Sequence, residues 1–164
     1  MVPPVVIRVI ISPLSLKHSL KSIRTALVGA APLGASTQTR FKALLSDDAT
    51  LTQVLGLTET SCLVARFYYP ESDSTGSVGR FIPNIDVKLV DDDGNDISAH
   101  DLSGELCVRG PTAVRGYFEN PEATKRDWDE DGYFHTGDIA YSDGRSNLWY
   151  VVDRKKVSRH NNTW

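Results

Sequence analysis

The sequence predicts an α/β part followed by a β-rich part, and three observations support this fold class. Helix-like and strand-like patterns alternate between residues 19 and 57. From residue 77 onward, short strand-like runs alternate with turn signals, as at residues 92–95 (Asp-Asp-Gly-Asn). A stretch rich in Ser, Asp, Pro and Gly, residues 69–76, separates the two patterns. The change of pattern indicates a change from a mixed sheet to antiparallel strands.

In the first half, the pattern predicts two strands around one helix. The apolar run 25–28 ends at Gly29 and is typical of a short buried strand. Residues 36–45 carry Phe, Leu and Leu at helical spacing, which predicts a helix. Residues 51–55 are expected to form a second strand, stopped by Gly56. The apolar amino-terminal run 5–11 fits either a helix or a strand.

In the second half, three strands and one helix are expected. The strands correspond to the apolar runs 87–90, 105–109 and 148–152, each bounded by turn residues. The helix begins after Asn120, a residue type that favours the N-cap, and Pro121 suits the first helical position. These signals predict antiparallel strands interrupted by one helix.

Composition excludes several classes of protein. The chain has 164 residues, of which 40% are hydrophobic and 24% charged, with a net charge of −3, values typical of a globular protein. Cys62 and Cys107 lie far apart, which argues against a disulfide framework or a structural zinc site and favours an intracellular, cytoplasmic location. The apolar run 5–11 is too short for a membrane span. A nucleic-acid partner is not expected without a basic block, and the chain ends without a peroxisomal signal.

Two segments place reactive polar groups after strand-like runs. Thr58 and Glu59 follow the strand expected over 51–55, where ligands commonly bind, but the same pair could simply open a helix. Asp138 follows a glycine in a strand-rich region and could accept hydrogen bonds from a sugar, or serve as an ordinary turn aspartate. Arg154 could bind a hydroxyl or a phosphate, or belong to a solvated basic run. Each segment alone leaves both interpretations open.

Taken together and in order, these segments resemble the acyl-adenylate-forming (AMP-binding) superfamily, in its acyl-CoA synthetase and 4-coumarate:CoA ligase-like branch. The resemblance extends from residue 2 to about residue 156, and residues 79–96 are especially similar to that branch. The segments that carry it are, in chain order, residues 28–33, 53–59, 104–111, 116–124, 133–138 and 153–156.

The resemblance implies a fragment of an ATP-dependent acid:CoA ligase. Such an enzyme activates an aryl or fatty carboxylic acid as acyl-AMP and passes the acyl group to CoA, so ATP or AMP, Mg²⁺, CoA and a small carboxylic acid are the implied ligands. Thr58 and Glu59 would be catalytic, Thr58 donating to a phosphate oxygen and Glu59 helping to hold Mg²⁺. Asp138 would take the ribose hydroxyls, and Arg154 would contact ribose or phosphate. Lys156 would occupy the hinge between the two family domains.

The nucleotide-binding residues implied by the resemblance form a larger set that includes these positions: Gly29, Ala30, Ala31, Gln53, Gly56, Leu57, Thr58, Asp138 and Arg154.

The resemblance also gives expected boundaries. Residues 1–68 would be a partial α/β subdomain from the end of a sheet layer, and residues 77–152 a distorted antiparallel β-barrel. Residues 153–164 would be a truncated hinge followed by an off-pattern tail. The uncovered sheet edge could associate with a partner, because unpaired strand edges are open to pairing.

Three departures from the family pattern leave alternatives open. Leu55 stands where the family has an aromatic residue that stacks on adenine. The family's phosphate-binding loop is expected upstream of the first residue, and its small domain with the catalytic lysine is expected beyond Lys156. We therefore expect no ligase activity from the isolated chain. The alternatives are a non-catalytic AMP-binding or regulatory fragment, and a mis-spliced product without independent function.

Overall fold

The computed structural model describes residues 1–154, with only the backbone of Leu16. The helices of this part are α1 (Pro3–Ile11), α2 (Leu14–Lys17), α3 (Ala35–Lys42) and α4 (Pro121–Asp127). The strands are β1 (Thr25–Val28), β2 (Thr50–Gln53), β3 (Leu55–Leu57), β4 (Cys62–Arg66), β5 (Arg80–Phe81), β6 (Asp86–Val90), β7 (Gly104–Arg109), β8 (Phe134–Ser142) and β9 (Trp149–Arg154). A short 3₁₀ helix spans Thr58–Thr60.

The amino-terminal part is a small α/β layer. Strands β1 and β2 run parallel, with Thr25 opposite Thr50 and Val28 opposite Gln53, and α1 and α3 contact each other beside them. This confirms the strand predicted over 25–28 and the helix predicted within 36–45, although α3 ends at Lys42. The core of this layer consists of Val6, Ala26, Val28, Leu33, Phe41, Leu45, Ala49 and Leu51.

The run 5–11, which fitted either a helix or a strand, lies in helix α1. Its β-branched residues favour strands, but Pro3 suits the first turn, and Pro3 and Val6 bury the same helical side. Val5, Ile7 and Ile11 remain exposed on the helix surface. The nine residues of α1 exceed the other helices in the described range, and none of these helices is long and apolar enough to cross a membrane.

The β-rich part consists of two antiparallel sheets, in the orders β3-β4-β5 and β6-β7-β8-β9. A bridge between Gly79 and Trp149 joins them, with the Trp149 amide donating to the Gly79 carbonyl at 2.9 Å. Within residues 1–154, these sheets do not close into a barrel, so the expected barrel is present as two joined open sheets. Their shared core consists of Leu55, Val64, Ala65, Val78, Leu89, Leu106, Val108, Phe134 and Ala140.

The three strands and the helix predicted in this half are confirmed. Strands β6, β7 and β9 cover the apolar runs 87–90 and 105–109 and most of 148–152. Helix α4 begins as its signals indicate, because the Asn120 side-chain oxygen accepts the Ala123 amide at 3.0 Å with Pro121 in the first turn.

The strand expected over residues 51–55 is wrong in its end point. Strand β2 ends at Gln53, and after Val54 the chain continues as β3 in a different sheet, with Gly56 inside β3 instead of stopping it. Gly56 is required there because a Cβ would lie 1.9 Å from the Cys62 carbonyl oxygen on the facing strand. The glycine therefore permits close approach of two strands.

The sheets divide the described residues near Val54. Strands β3 and β4 lie within the predicted subdomain 1–68, but they form one sheet with β5 and contribute to the core of the β-rich part. Strand β9 likewise continues through Arg154, into the segment expected as hinge and tail. Residues 155–164 lie outside the described range.

We predict that Gly56→Ser lowers the free energy of unfolding by about 1–3 kcal/mol, because the new Cβ would overlap the Cys62 carbonyl. Gly34→Ser is the matched control, since a Cβ there meets no atom within 4 Å and serine is favoured at the N-cap that Gly34 occupies. Urea unfolding followed by tryptophan fluorescence measures both variants. Equal midpoints for the two would contradict the prediction.

Candidate functional site

A cleft of about 720 Å³ lies where the α/β layer meets the β-rich part. One wall comes from the loop after β1 and from the segment that joins β2, β3 and the 3₁₀ helix, and the other comes from β8 and β9. All the residues predicted for catalysis or nucleotide binding that fall within residues 1–154 line this cleft, with the exception of Gly29. They are Ala30, Ala31, Gln53, Gly56, Leu57, Thr58, Glu59, Asp138 and Arg154.

Gln53 holds the loop that follows β1. Its side chain is 4% exposed, and its amide oxygen accepts the Leu33 amide at 2.8 Å while its amide nitrogen donates to the Leu33 carbonyl at 3.2 Å. The two bonds fix the loop that carries Ala30 and Ala31. Ala30 adopts a left-handed conformation with φ of 69°, which is uncommon for a residue with a side chain. The fixed loop therefore presents small side chains to the cleft.

Gly29 lies behind this loop and does not line the cleft. A Cβ at this position would lie 2.9 Å from the Val54 side chain and 3.1 Å from the Val54 carbonyl oxygen. The glycine therefore lets β1 and the β2–β3 junction approach each other, and it acts on the cleft only through the backbone.

Thr58 and Glu59 open the 3₁₀ helix directly after β3, which agrees with both of their possible roles. The turn is fixed by Thr60, which is 1% exposed and whose hydroxyl bonds the Leu57 amide at 3.2 Å and the Leu57 carbonyl at 3.1 Å. Thr58 is exposed, and Glu59 is half-buried. A carboxylate oxygen of Glu59 accepts the Tyr117 hydroxyl at 2.9 Å. The turn therefore offers one hydroxyl and one oriented carboxylate to the cleft.

Asp138 and Arg154 face each other across β8 and β9 on the opposite wall. They are direct register partners, and the Arg154 Nε lies 3.5 Å from an Asp138 carboxylate oxygen. The Asp138 side chain is 16% exposed and that of Arg154 is 78% exposed. The Asp138 backbone is fixed by Thr136, whose hydroxyl accepts the Asp138 amide at 3.0 Å and donates to the Leu106 carbonyl at 2.8 Å. A recessed acceptor and an exposed cation thus lie side by side.

Burial raises the pKa of the Asp138 carboxyl above its ordinary value, and the Arg154 guanidinium opposes this effect. Desolvation penalises the charged form of a carboxyl group, whereas a nearby cation stabilises it. A partly desolvated carboxylate gains more from hydrogen-bond donors than one in water does. Asp138 is therefore suited to accept hydroxyl groups of a ligand.

Sequence reasoning missed several residues of the cleft. Val78, Val151 and Val152 line it as apolar members of the sheet, which local patterns mark only as strand or linker residues. Leu55, where an aromatic residue is expected, also lines it but is 9% exposed and packs in the core of the β-rich part. Asp153 lines the cleft as well. Tyr117 lies outside the cleft lining, and nothing in its local sequence indicates its contact with Glu59. Lys156 lies outside the described residues.

A second cavity, of about 890 Å³, adjoins the cleft and shares Leu57, Glu59 and Arg154 with it. Its wall includes Tyr117 and His135. Across residues 1–154, no group of three or more His, Cys, Asp or Glu residues is arranged to hold a metal ion.

Comparison with known proteins identifies the family. The sequence model of the AMP-binding enzyme family matches residues 1–118. The chain is 59% identical over 155 residues to an acyl-CoA synthetase, ACTT5, of Alternaria alternata, covering 94% of this chain and 27% of that protein. It is 38% identical over 159 residues to 4-coumarate–CoA ligase 3 of Oryza sativa subsp. japonica, covering 94% and 28%.

Solved structures of adenylate-forming enzymes have a similar fold. Apo MatB from Rhodopseudomonas palustris superposes with a TM-score of 0.78 at 29% identity, covering 94% of this chain and 30% of that chain. The chain thus spans roughly 30% of the length of the proteins that it matches. The family match covers most of the sequence, and the chain belongs to the AMP-binding enzyme family, among relatives that are acyl-CoA synthetases and 4-coumarate–CoA ligases.

Proposed function

We propose that the chain forms the nucleotide-binding part of an ATP-dependent acid:CoA ligase. In the proposed reaction, a carboxylate oxygen of an aryl or fatty acid bonds to the α-phosphorus of ATP and pyrophosphate leaves. The thiol of CoA then attacks the acyl carbon, and AMP leaves. The observation that carries the proposal is the single cleft that gathers Ala30, Thr58, Glu59, Asp138 and Arg154 from distant parts of the chain.

The two walls of the cleft would divide the nucleotide between them. Asp138 is acceptor-only when ionised, so it would take the two ribose hydroxyls, and Arg154 beside it would contact ribose or phosphate. The loop carrying Ala30 and Ala31 would leave room for the flat adenine ring. The exposed Thr58 hydroxyl on the facing wall would donate to a phosphate oxygen. The proposed roles are therefore mainly orientation and charge stabilisation.

Glu59 suits a magnesium ion that is shared with phosphates. Mg²⁺ takes oxygen ligands and is usually bound through one or two carboxylates together with substrate phosphates and water. Glu59 is one such carboxylate on its wall of the cleft, and Asp138 and Asp153 lie on the other wall. The ion would neutralise charge on the phosphate oxygens. Glu59 would orient it.

The uncovered apolar surface of the α/β layer fits association with further parts of a ligase. Strands β1 and β2 form a sheet of only these two strands among the described residues, and Val5, Ile7 and Ile11 of α1 are exposed nearby. Exposed apolar groups of this kind mark interaction surfaces. Because the matched relatives are more than three times longer, the proposed partner is the remaining portion of such a ligase.

A second candidate is a nucleotide-binding fragment without catalysis. Two observations favour it: the chain spans roughly 30% of its relatives' length, and Leu55 supplies no aromatic face to adenine. Both candidate functions include nucleotide binding, but only the ligase includes catalytic turnover.

We predict that Asp138→Asn weakens AMP binding about ten- to a hundredfold, because a hydrogen bond to a charged group contributes about 1.5–3 kcal/mol. Titration of AMP by NMR measures the affinity, and 2′,3′-dideoxy-AMP serves as the ligand without ribose hydroxyls. The wild-type chain should prefer AMP, and the variant should lose most of that preference. Asp47→Asn, at a fully exposed position far from the cleft, is the control variant.

Equal affinities of the wild-type chain for AMP and the dideoxy ligand would contradict a ribose role for Asp138. Absence of binding by both would contradict the proposed nucleotide site as a whole.

We predict that adenosine binding weakens as the pH falls, beginning above the pH at which an ordinary aspartate is protonated. The pKa of Asp138 is raised by burial, and protonation removes the negative charge that strengthens its hydrogen bonds to hydroxyl groups and turns one oxygen into a donor. Adenosine is the probe because it lacks the phosphate group that titrates near about pH 6. A pH profile measured by NMR should be flat for Asp138→Asn. A wild-type profile of the same flatness would contradict the prediction.

We predict that the 164-residue chain alone releases no measurable pyrophosphate from ATP with Mg²⁺ and a panel of aryl and fatty acids. The reason is that these residues correspond to roughly 30% of a matched ligase. A coupled pyrophosphate assay measures turnover. Rates in the ordinary enzyme range of about 1–10³ per second would show that the chain is catalytically sufficient.

A further inference from the structure

Tyr117 forms a hydrogen bond with Glu59 and has no role so far in the proposed nucleotide binding. Its hydroxyl donates to the Glu59 carboxylate at 2.9 Å, although the two residues are 58 positions apart in the chain. Burial, and in addition the hydrogen bond to Glu59, raise the pKa of the Tyr117 hydroxyl. Glu59 therefore receives a hydrogen bond from a residue that is distant in the chain.

The loop around Tyr117 fixes this hydroxyl from several sides. The Tyr117 ring packs edge-on against Trp128, with ring centroids 5.3 Å apart. Its backbone amide donates to the Thr124 hydroxyl of α4 at 2.8 Å. The Glu59 backbone is held by the same loop, because the Val114 amide donates to the Glu59 carbonyl at 2.8 Å. The loop therefore restrains both the main chain and the side chain of Glu59.

Asp127 is a second acceptor near Tyr117, and it also pairs with Arg126. The Arg126 guanidinium donates to both Asp127 carboxylate oxygens, at 2.6 and 2.8 Å. This pairing lowers the pKa of the Asp127 carboxyl. The Tyr117 hydroxyl thus faces two carboxylates, and its 2.9 Å hydrogen bond goes to Glu59.

We propose that Tyr117 is a positioning residue, which orients the Glu59 carboxylate toward a metal-bound triphosphate in the cleft. The inference rests on the proposed function, since it deepens the role given there to Glu59. The hydrogen bond occupies one carboxylate oxygen, Oε1. A carboxylate with one oxygen restrained and the second available can bind a metal ion in a defined direction. Removal of a group that orients a metal-binding carboxylate in this way typically weakens metal binding about ten- to a hundredfold.

Tyr117→Phe removes only the hydroxyl and keeps the ring contact with Trp128. ATP affinity is measured by isothermal titration with excess Mg²⁺ and again with EDTA, and AMP affinity is measured without metal. We expect the variant to lose about tenfold of the Mg²⁺-dependent gain in ATP affinity and to keep the wild-type affinity for AMP. Tyr141→Phe is the matched control, because Tyr141 stacks on Tyr150 and does not line the cleft.

A double-mutant cycle with Glu59→Gln separates positioning from general structural support. If Tyr117 acts through Glu59, adding Tyr117→Phe to Glu59→Gln causes no further loss of the Mg²⁺-dependent gain. Independent, additive losses would overturn the inference, as would a Tyr117→Phe variant with the full wild-type gain. Unchanged thermal unfolding of Tyr117→Phe excludes loss of fold as the cause of a positive result.

The NMR shift of the Tyr117 phenol carbon separates failure of this inference from failure of the proposed function. Without nucleotide, the shift should change on Glu59→Gln if the contact exists in solution, and an unchanged shift would overturn the inference alone. If the shift changes but the wild-type chain binds neither AMP nor ATP, the contact stands, while the proposed function and the positioning role both fall.

Discussion

The segment Thr50–Leu57 is shared by two sheets, and the candidate site depends on this constraint. Residues of β2 pair in parallel with β1, residues of β3 pair antiparallel with β4, and only Val54 separates them. The Val54 amide still donates to the Val28 carbonyl at 2.9 Å, so the chain leaves the first sheet only at the last possible residue. Leu51 belongs to the core of the α/β layer and Leu55 to the core of the β-rich part, so this segment joins the two cores at the cleft.

The ion pair of Asp138 and Arg154 contributes more to the character of the cleft than to stability. Arg154 is 78% exposed, and exposed ion pairs typically stabilise a fold by less than about 1 kcal/mol. The recessed position of Asp138 also opposes its ionisation. A partly desolvated carboxylate that adds little to stability is typical of a ligand-binding site. The facing wall is similar, because Tyr117 holds the Glu59 carboxylate and the neighbouring Thr58 is exposed to solvent.

Local sequence signals were sufficient to predict a helix or strand whose formation depends mainly on its own residues. The Asn120 cap and Pro121 determine where α4 begins, and alternating apolar residues identify strands such as β7. Pairing partners were not predictable in this way. The same apolar run serves β2 and β3, and nothing in its periodicity shows that the chain changes sheets at Val54. The expected barrel failed to close for the same reason, since closure depends on which strand edges meet.

In the candidate site, too, some residues were predictable from the sequence, whereas contacts between distant segments were not. Nine of the residues that line the cleft were predicted through an ordered set of segments that resemble one family, not through any segment alone. The contact of Tyr117 with Glu59 joins residues 58 positions apart, and its geometry depends on where α4 packs. Helix α1 remained ambiguous because its β-branched residues suit either element, and burial of Val6 against the α/β core decides for the helix.

The bonds from Gln53 to Leu33 have a consequence for how such a cleft could diversify. A glutamine side chain carries a carbonyl group and an N–H donor group, as the main chain does, so Gln53 bonds the Leu33 backbone much as a residue of a neighbouring strand would. Both bonds go to the Leu33 backbone, and neither depends on which side chains the loop carries. The loop residues that face the cleft can therefore be exchanged while its anchor is kept. The lining of the cleft can thus vary at this loop while the two sheets keep their strand pairing.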